Sequence, residues 1–198
     1  MSPLRKYNTL SDFTVFQIPR PGNKGGGVAI FVRKVFNITK NLTLSFKSFE
    51  HIDITLTYKN FNFRLVVIYR PPPSTKNKLT IAEFFTEFAK LTEELTNCYK
   101  QILIAGDFNF HIDNIDNTDA RNFLDFLESA TMTQHVTGST HSKGHTLDLI
   151  ITRCDENVTY YVQILPDFFF DHKVVTCKLD FPKPPASKIH VTYRSTKL

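Results

Sequence analysis

Apolar and polar positions alternate along Ile52 to Tyr58, where Ile52, Ile54, Leu56 and Tyr58 are separated by Asp53, Thr55 and Thr57. Period two is the signature of a strand with one buried face. Val28 to Val35, Leu42 to Phe46 and Phe61 to Tyr69 carry the same β-branched and aromatic enrichment and are also read as strands. Lys59-Asn60 between two such runs predicts a tight hairpin, and Pro71-Pro72-Pro73 ends the sheet, because proline cannot donate to a ladder. The spacing then changes. Ile81, Phe84, Phe85, Phe88, Leu91 and Leu95 recur with helical period behind a Thr80/Glu83 capping box, which predicts a helix over residues 80–97. Gln101 to Gly106 is a short bounded apolar run, read as a buried strand. A second helix is expected over Ala120 to Ser129, and strands over Leu147 to Thr152, Val158 to Ile164 and Lys173 to Leu179. Strands outnumber helices but are interrupted by them, which predicts an α/β or α+β sandwich.

Composition narrows this further. A chain of 198 residues with 41% hydrophobic and 22% charged positions suits one folded domain. With 19 phenylalanines and no tryptophan, the core is expected to be built from phenylalanine and β-branched side chains. The net charge of +5 favours a polyanionic partner. Cys98, Cys154 and Cys177 are odd in number and far apart, without zinc-ligand spacing, and read as buried small hydrophobes in a reducing compartment. No apolar run approaches the ~18 residues of a membrane span, so an intracellular protein without a membrane partner is expected. From Pro182 the chain becomes a Pro/Lys/Ser linker.

The polar residues that carry chemistry fall at strand ends. Ile102-Leu103-Ile104-Ala105-Gly106 runs into Asp107-Phe108-Asn109, placing a carboxylate and an amide two residues apart at the C-terminal end of a buried strand. Turn chemistry alone would also account for them. Asp148 lies inside Leu147-Asp148-Leu149-Ile150, where a carboxylate is costly unless something satisfies it; a histidine is a good candidate, and an edge strand the plainer alternative. Asp171-His172 precedes the last strand and offers a metal ligand beside a proton-handling group, although a loop Asp-His pair often does nothing. Tyr69-Arg70 ends a strand with two groups able to bind phosphate, or with side chains that merely pack. Together these are the ingredients of a magnesium-dependent phosphodiesterase. Gly25-Gly26-Gly27 lacks the Gly-Lys-Ser/Thr of a P-loop, which disfavours nucleotide-triphosphate chemistry.

The ordered set Gly25-Gly26-Gly27-Val28-Ala29-Ile30, Val67-Ile68-Tyr69-Arg70-Pro71-Pro72, Ala105-Gly106-Asp107-Phe108-Asn109, Thr140-His141 with Gly144 and Thr146-Leu147-Asp148-Leu149-Ile150, and Asp171-His172 resembles the endonuclease/exonuclease/phosphatase superfamily. Within it, the chain looks like the apurinic-type endonuclease domain of LINE-type non-LTR retrotransposons. The resemblance implies a four-layer αββα sandwich of the DNase-like fold over residues 1–181. Residues 182–198 would then form a linker toward a reverse-transcriptase region in cis. The implied activity is DNA nicking with Mg²⁺ or Mn²⁺, without a small-molecule cofactor, in the nucleus. By motif, Asp107 would orient the attacking water and Asn109 would hold a phosphate oxygen. Asp148 would pair with His172 at the scissile phosphate, and Asp171 would help hold the metal. Tyr69, Arg70 and Thr140 would contribute phosphate or substrate contacts.

Two departures bear on activity. The family's first strand carries an active-site Asn and is followed by a Glu that is the principal magnesium ligand, both well before the glycine triplet. Here the triplet starts at residue 25, so the first strand and helix are expected to be lacking, with the Asn and Glu. Glu50 and Glu83 do not fall where they could replace the Glu. Phe170 occupies the position before Asp-His where the family usually has Ser. Weak nicking, or a remnant that only binds nucleic acid, is therefore expected, with a small-molecule phosphatase as a further alternative.

Overall fold

The computed structural model describes residues 12–19, 27–41, 45–97, 101–156 and 159–180. In chain order the elements are β1 (Phe13–Pro19), β2 (Gly27–Arg33), β3 (Asn37–Lys40), β4 (Glu50–Tyr58), β5 (Phe61–Tyr69), α1 (Ile81–Thr96), β6 (Gln101–Asp107), α2 (Thr118–Ser129), β7 (Met132–Gln134), β8 (Asp148–Arg153), β9 (Thr159–Phe169) and β10 (His172–Leu179). Six strands form one mixed sheet in the order β3-β4-β5-β6-β8-β7. β5 and β6 are parallel, and α1 is the crossover that joins them. β1–β2 and β9–β10 form two separate antiparallel pairs.

Alternation along each strand sends neighbouring side chains to opposite faces of the sheet. Val66, Ile68, Ile102, Ile104, Leu149 and Ile151 meet the helices, where Phe84, Phe88, Leu91 and Leu95 of α1 and Phe123 of α2 are fully buried. Phenylalanine dominates here, with Phe84 stacked on Phe88 at 5.2 Å and Phe110 on Phe123 at 4.6 Å between centroids. Ile52, Ile54, Leu56, Phe63, Leu103 and Ile150 face the other way, against Val28, Ile30 and Val32 of β2 and Ile164, Val175 and Leu179 of the β9–β10 pair. The result is an α/β sandwich whose described layers are helices, a six-stranded sheet, and two strand pairs.

Several predicted elements correspond closely. The Thr80 side chain accepts from the Glu83 amide at 3.1 Å and starts α1, and Lys59 adopts the left-handed backbone of the β4–β5 turn. Other readings need correction. Residues 45–46 of the expected Leu42–Phe46 strand lie outside any strand, and 42–44 are outside the described residues. The ladder to β4 is made instead by Asn37–Lys40, a polar edge segment. Cys154 is exposed, not buried, with its Sγ 3.0 Å from Thr133 Oγ1. Cys177 is partly buried and its thiol is pushed up by burial. Cys98, Gly25, Gly26 and the 182–198 linker lie outside the described residues. Among the described residues, no helix is long and apolar enough to cross a membrane.

Candidate active site

Ladder register brings the strand-end residues into one row. Tyr69 at the end of β5 pairs with Asp107 at the end of β6, and Asp107 pairs with Asp148 at the start of β8. Paired positions share a face, and alternation places this row on the side of the strand pairs, continuous with Leu103, Ala105 and Ile150. β10 approaches from that side. His172, its first residue, carries Nδ1 to 2.8 Å from Asp148 Oδ2, so the histidine expected to satisfy Asp148 is His172. Glu50 pairs with Tyr69 and stands in the same row, on the side of Tyr69 away from Asp107, whereas Glu83 is in the first turn of α1.

The backbone leading into the row is unusual. Gly106 has φ +146°, and a Cβ there would lie 1.8 Å from the Ile68 carbonyl oxygen, so only glycine lets β6 approach β5 at this point. Asn109 follows at φ 51°, a conformation asparagine tolerates. Its backbone N–H donates to Asp107 Oδ1 at 3.1 Å, and its Nδ2 donates to Asp107 Oδ2 at 3.0 Å and to the Arg70 carbonyl at 2.8 Å. Both amide hydrogens are thus engaged, and holding a phosphate oxygen would require trading one of these bonds. Asn109 as built fixes the Asp107 carboxylate.

Arg70 and Thr140 are both buried and hydrogen-bonded within the protein. The Arg70 side chain is buried. Its Nη1 donates to the carbonyls of Phe108 (2.9 Å) and Asn109 (3.2 Å), and its guanidinium carbon sits 3.9 Å from the Phe110 ring centroid. Burial lowers its pKa to about 10, against the raising influence of Asp119 and Asp107, so it stays charged at neutral pH. It braces the loop after β6. Thr140 is also fully buried. Its hydroxyl accepts from the amides of Leu147 (3.0 Å) and Asp148 (3.1 Å), while its carbonyl accepts from Lys173 N at 2.7 Å. One residue therefore ties the start of β8 to the start of β10.

The same loop, residues 138–147, brings in groups to which the sequence reading gave no role. His141 makes an isolated bridge to His172, and Ser142 N donates to the Asp171 carbonyl at 2.8 Å. Asp113 accepts from Thr146 N at 2.7 Å and lies 3.2 Å from His145 Nδ1, and the His145 ring lies 4.0 Å from that of His111. His141, Asp171 and His172 offer ligand atoms all within 4.8 Å of one another. His141 stood in the quoted motif, and His111 and Asp113 sit just downstream of Asn109. Their proximity to the site comes from loop packing and leaves no local pattern.

Electrostatics mark the row as the chemical centre. Burial, then the charge of Asp148, raises the Asp107 carboxyl to about 6, against the opposing influence of His172 and the Asn109 hydrogen bonds. Burial works against a charged His172. The hydrogen bond and charge of Asp148, with Asp107 and Asp171, outweigh it and hold the imidazole above its ordinary value. A buried carboxyl and an imidazole whose affinities for a proton are both raised are suited to moving protons. Asp171 is the exposed member, its side chain 66% accessible. His172 feels the charge of all three carboxylates, Asp148, Asp107 and Asp171, and carboxylate oxygens are the ligands that a hard divalent cation such as Mg²⁺ or Mn²⁺ prefers. Phe170, beside Asp171, is 88% exposed with φ 64°.

A family described as endonuclease-reverse transcriptase matches residues 63–176, the span from β5 into β10 that holds Tyr69, Asp107, Asp148 and His172. The chain belongs to the endonuclease-reverse transcriptase family. Family and fold together support a nuclease-type hydrolase. No curated protein matches the chain. Among solved structures, this endonuclease-reverse transcriptase domain is similar to the endonuclease domain of TRAS1, a telomere-specific non-LTR retrotransposon, at 13% identity and a TM-score of 0.69, covering 87% of this chain and 82% of that one. It is also similar to a mannosyl-6-phosphatase from Bacteroides thetaiotaomicron (14% identity, TM-score 0.63, covering 86% and 78%) and to the human Nocturnin catalytic domain (15%, 0.59, 84% and 72%). At such identities the likeness shows the endonuclease/exonuclease/phosphatase fold.

Proposed function

We propose that this domain hydrolyses phosphodiester bonds in DNA, nicking one strand to leave a 3′ hydroxyl and a 5′ phosphate. The observation that carries the reading is the single row Tyr69–Asp107–Asp148, closed by the 2.8 Å contact between Asp148 and His172. Asp107, with a pKa of about 6, accepts a proton from the attacking water near neutral pH. The water oxygen bonds to phosphorus as the bond to O3′ breaks. His172, kept cationic by Asp148, stabilises charge on the phosphate and returns a proton to the departing O3′. Tyr69 contacts a phosphate oxygen. Asp171, beside His172, would hold a divalent cation, which would supply charge neutralisation and a more acidic water. The net charge of +5 favours the DNA backbone electrostatically.

In the parent protein, the chain after residue 181 would lead to a reverse transcriptase acting on the nicked DNA in the nucleus.

Supercoiled plasmid incubated with Mg²⁺, with EDTA, and with the His172→Ala variant tests the proposal. Slow nicking that EDTA and the variant both abolish supports it. DNA retention without nicking would point to a binding remnant. Phosphate release from small phosphoesters would move the domain to the phosphatases.

A further inference from the structure

His141, Asp171 and His172 have the makings of a three-ligand metal centre, two imidazoles and a carboxylate with ligand atoms within 4.8 Å of one another. The hydrogen bonds around the rings distinguish the two histidines. His172 Nδ1 faces the Asp148 carboxylate, which can only accept, so this nitrogen carries a proton and Nε2 is open when the ring is neutral. His141 is the reverse. Its Nδ1 accepts from the backbone N–H of Lys143 at 3.1 Å, and a backbone N–H can only donate. The ring therefore carries its proton on Nε2, the atom that lies 3.4 Å from Asp171 Oδ2. A metal ligand has its lone pair aimed at the ion and usually donates through the other nitrogen. His141 presents an N–H instead.

We infer that His141 is a positioning residue, a fixed Nε2–H donor that orients the exposed Asp171 carboxylate, and not a metal ligand. Its own placement is firm. The side chain is 11% exposed, the backbone bridges to His172, and the neighbouring Thr140 is locked between β8 and β10. Asp171, by contrast, is 66% exposed and sits at the turn between β9 and β10, where a free carboxylate would sample several rotamers. A donor on a rigid loop selects one of them. This inference rests on the reading of Asp171 as a metal-holding residue.

Two measurements test it. Mn²⁺ affinity by calorimetry is compared among wild type, Asp171→Ala, His141→Ala and His141→Gln, since the glutamine amide can present an N–H near the position of Nε2. We expect His141→Ala to weaken Mn²⁺ binding about 10-fold, as loss of a partner supporting a ligand does, Asp171→Ala, which removes the ligand itself, to weaken it at least as much, and His141→Gln to restore it to within about 3-fold. His141→Gln binding as weakly as His141→Ala, or His141→Ala binding as wild type while Asp171→Ala is weakened, overturns the inference and leaves the reading of Asp171 standing. Unchanged affinity in Asp171→Ala overturns that reading, and this inference with it. Independently, ¹⁵N spectra of the histidine rings at neutral pH should show His141 protonated at Nε2; protonation at Nδ1 would refute the assignment without any variant.

Discussion

His172 Nδ1 lies 2.8 Å from Asp148 Oδ2, a contact between residues 24 apart in sequence and in different sheets. It joins the β9–β10 pair to the six-stranded sheet at the strand ends, where Asp107, Asp148 and His172 meet. The chemistry of the site depends on how rigidly that contact is held, and the surrounding loop shows how. Thr140 binds the backbone of Asp148 through its hydroxyl and that of Lys173 through its carbonyl.

Thr140→Val keeps the shape and removes the acceptor, leaving the amides of Leu147 and Asp148 buried without it. The expected cost is about 1–3 kcal/mol, read as a lower urea midpoint at unchanged slope. Thr140→Ser should retain most of the stability. An unchanged midpoint in the valine variant would show that the hydroxyl contributes nothing.

Gly106→Ala should fail more severely. The added Cβ would lie 1.8 Å from a backbone oxygen of the neighbouring strand, at a φ of +146°. Neither β5 nor β6 can yield, because both lie inside the sheet. We expect a loss of more than about 4 kcal/mol, seen as insoluble protein or the absence of a cooperative thermal transition. A well-folded alanine variant would mean that the β5–β6 register differs from the one described.

Asp107 sets activity against stability. Its folded pKa of about 6 lies above the ordinary 3.8 because burial and Asp148 disfavour the charge. A carboxyl raised in this way favours the folded state while protonated. That contribution is complete below the ordinary value and is lost as pH rises through about 6. In EDTA at pH 7, Asp107→Asn should therefore stabilise the domain by about 1–2 kcal/mol, part of the gain being offset by a lost acceptor for Asn109 Nδ2. The advantage should shrink as pH falls from about 7 toward 4. Thermal denaturation across that range checks both parts, and an advantage that grows with acidity would reverse the assignment.

Much of this architecture could be read in the amino-acid order because local and tertiary signals agree. The Thr80 cap, the apolar period of α1, and the bounded run ending in Gly106-Asp107 each specify an element and its boundary. What escaped was decided by tertiary contacts. Asn37–Lys40 is too polar to look like a strand and becomes one by pairing at the edge with β4. Leu42 to Phe46 has strand composition, yet its last two residues lie in no ladder. At the site, residue type and order identified Asp107, Asp148 and His172 as candidates, since carboxylates and imidazoles at strand ends are expensive without a purpose. The burial of Arg70 and Thr140 could not be read, because sequence does not tell which way a side chain turns. An arginine beside a phosphate site and one buried against Phe84 and Phe110 are written with the same letter. His141, Asp113 and His145 gained their places only when the loop closed.

The most direct test of the account is a double-mutant cycle on Asp148 and His172, read as the rate of nicking of an end-labelled duplex. If the two side chains act as one unit, Asp148→Asn combined with His172→Ala should be no slower than His172→Ala alone, within about 2-fold. Losses that simply multiply would show two independent groups and contradict the shared site.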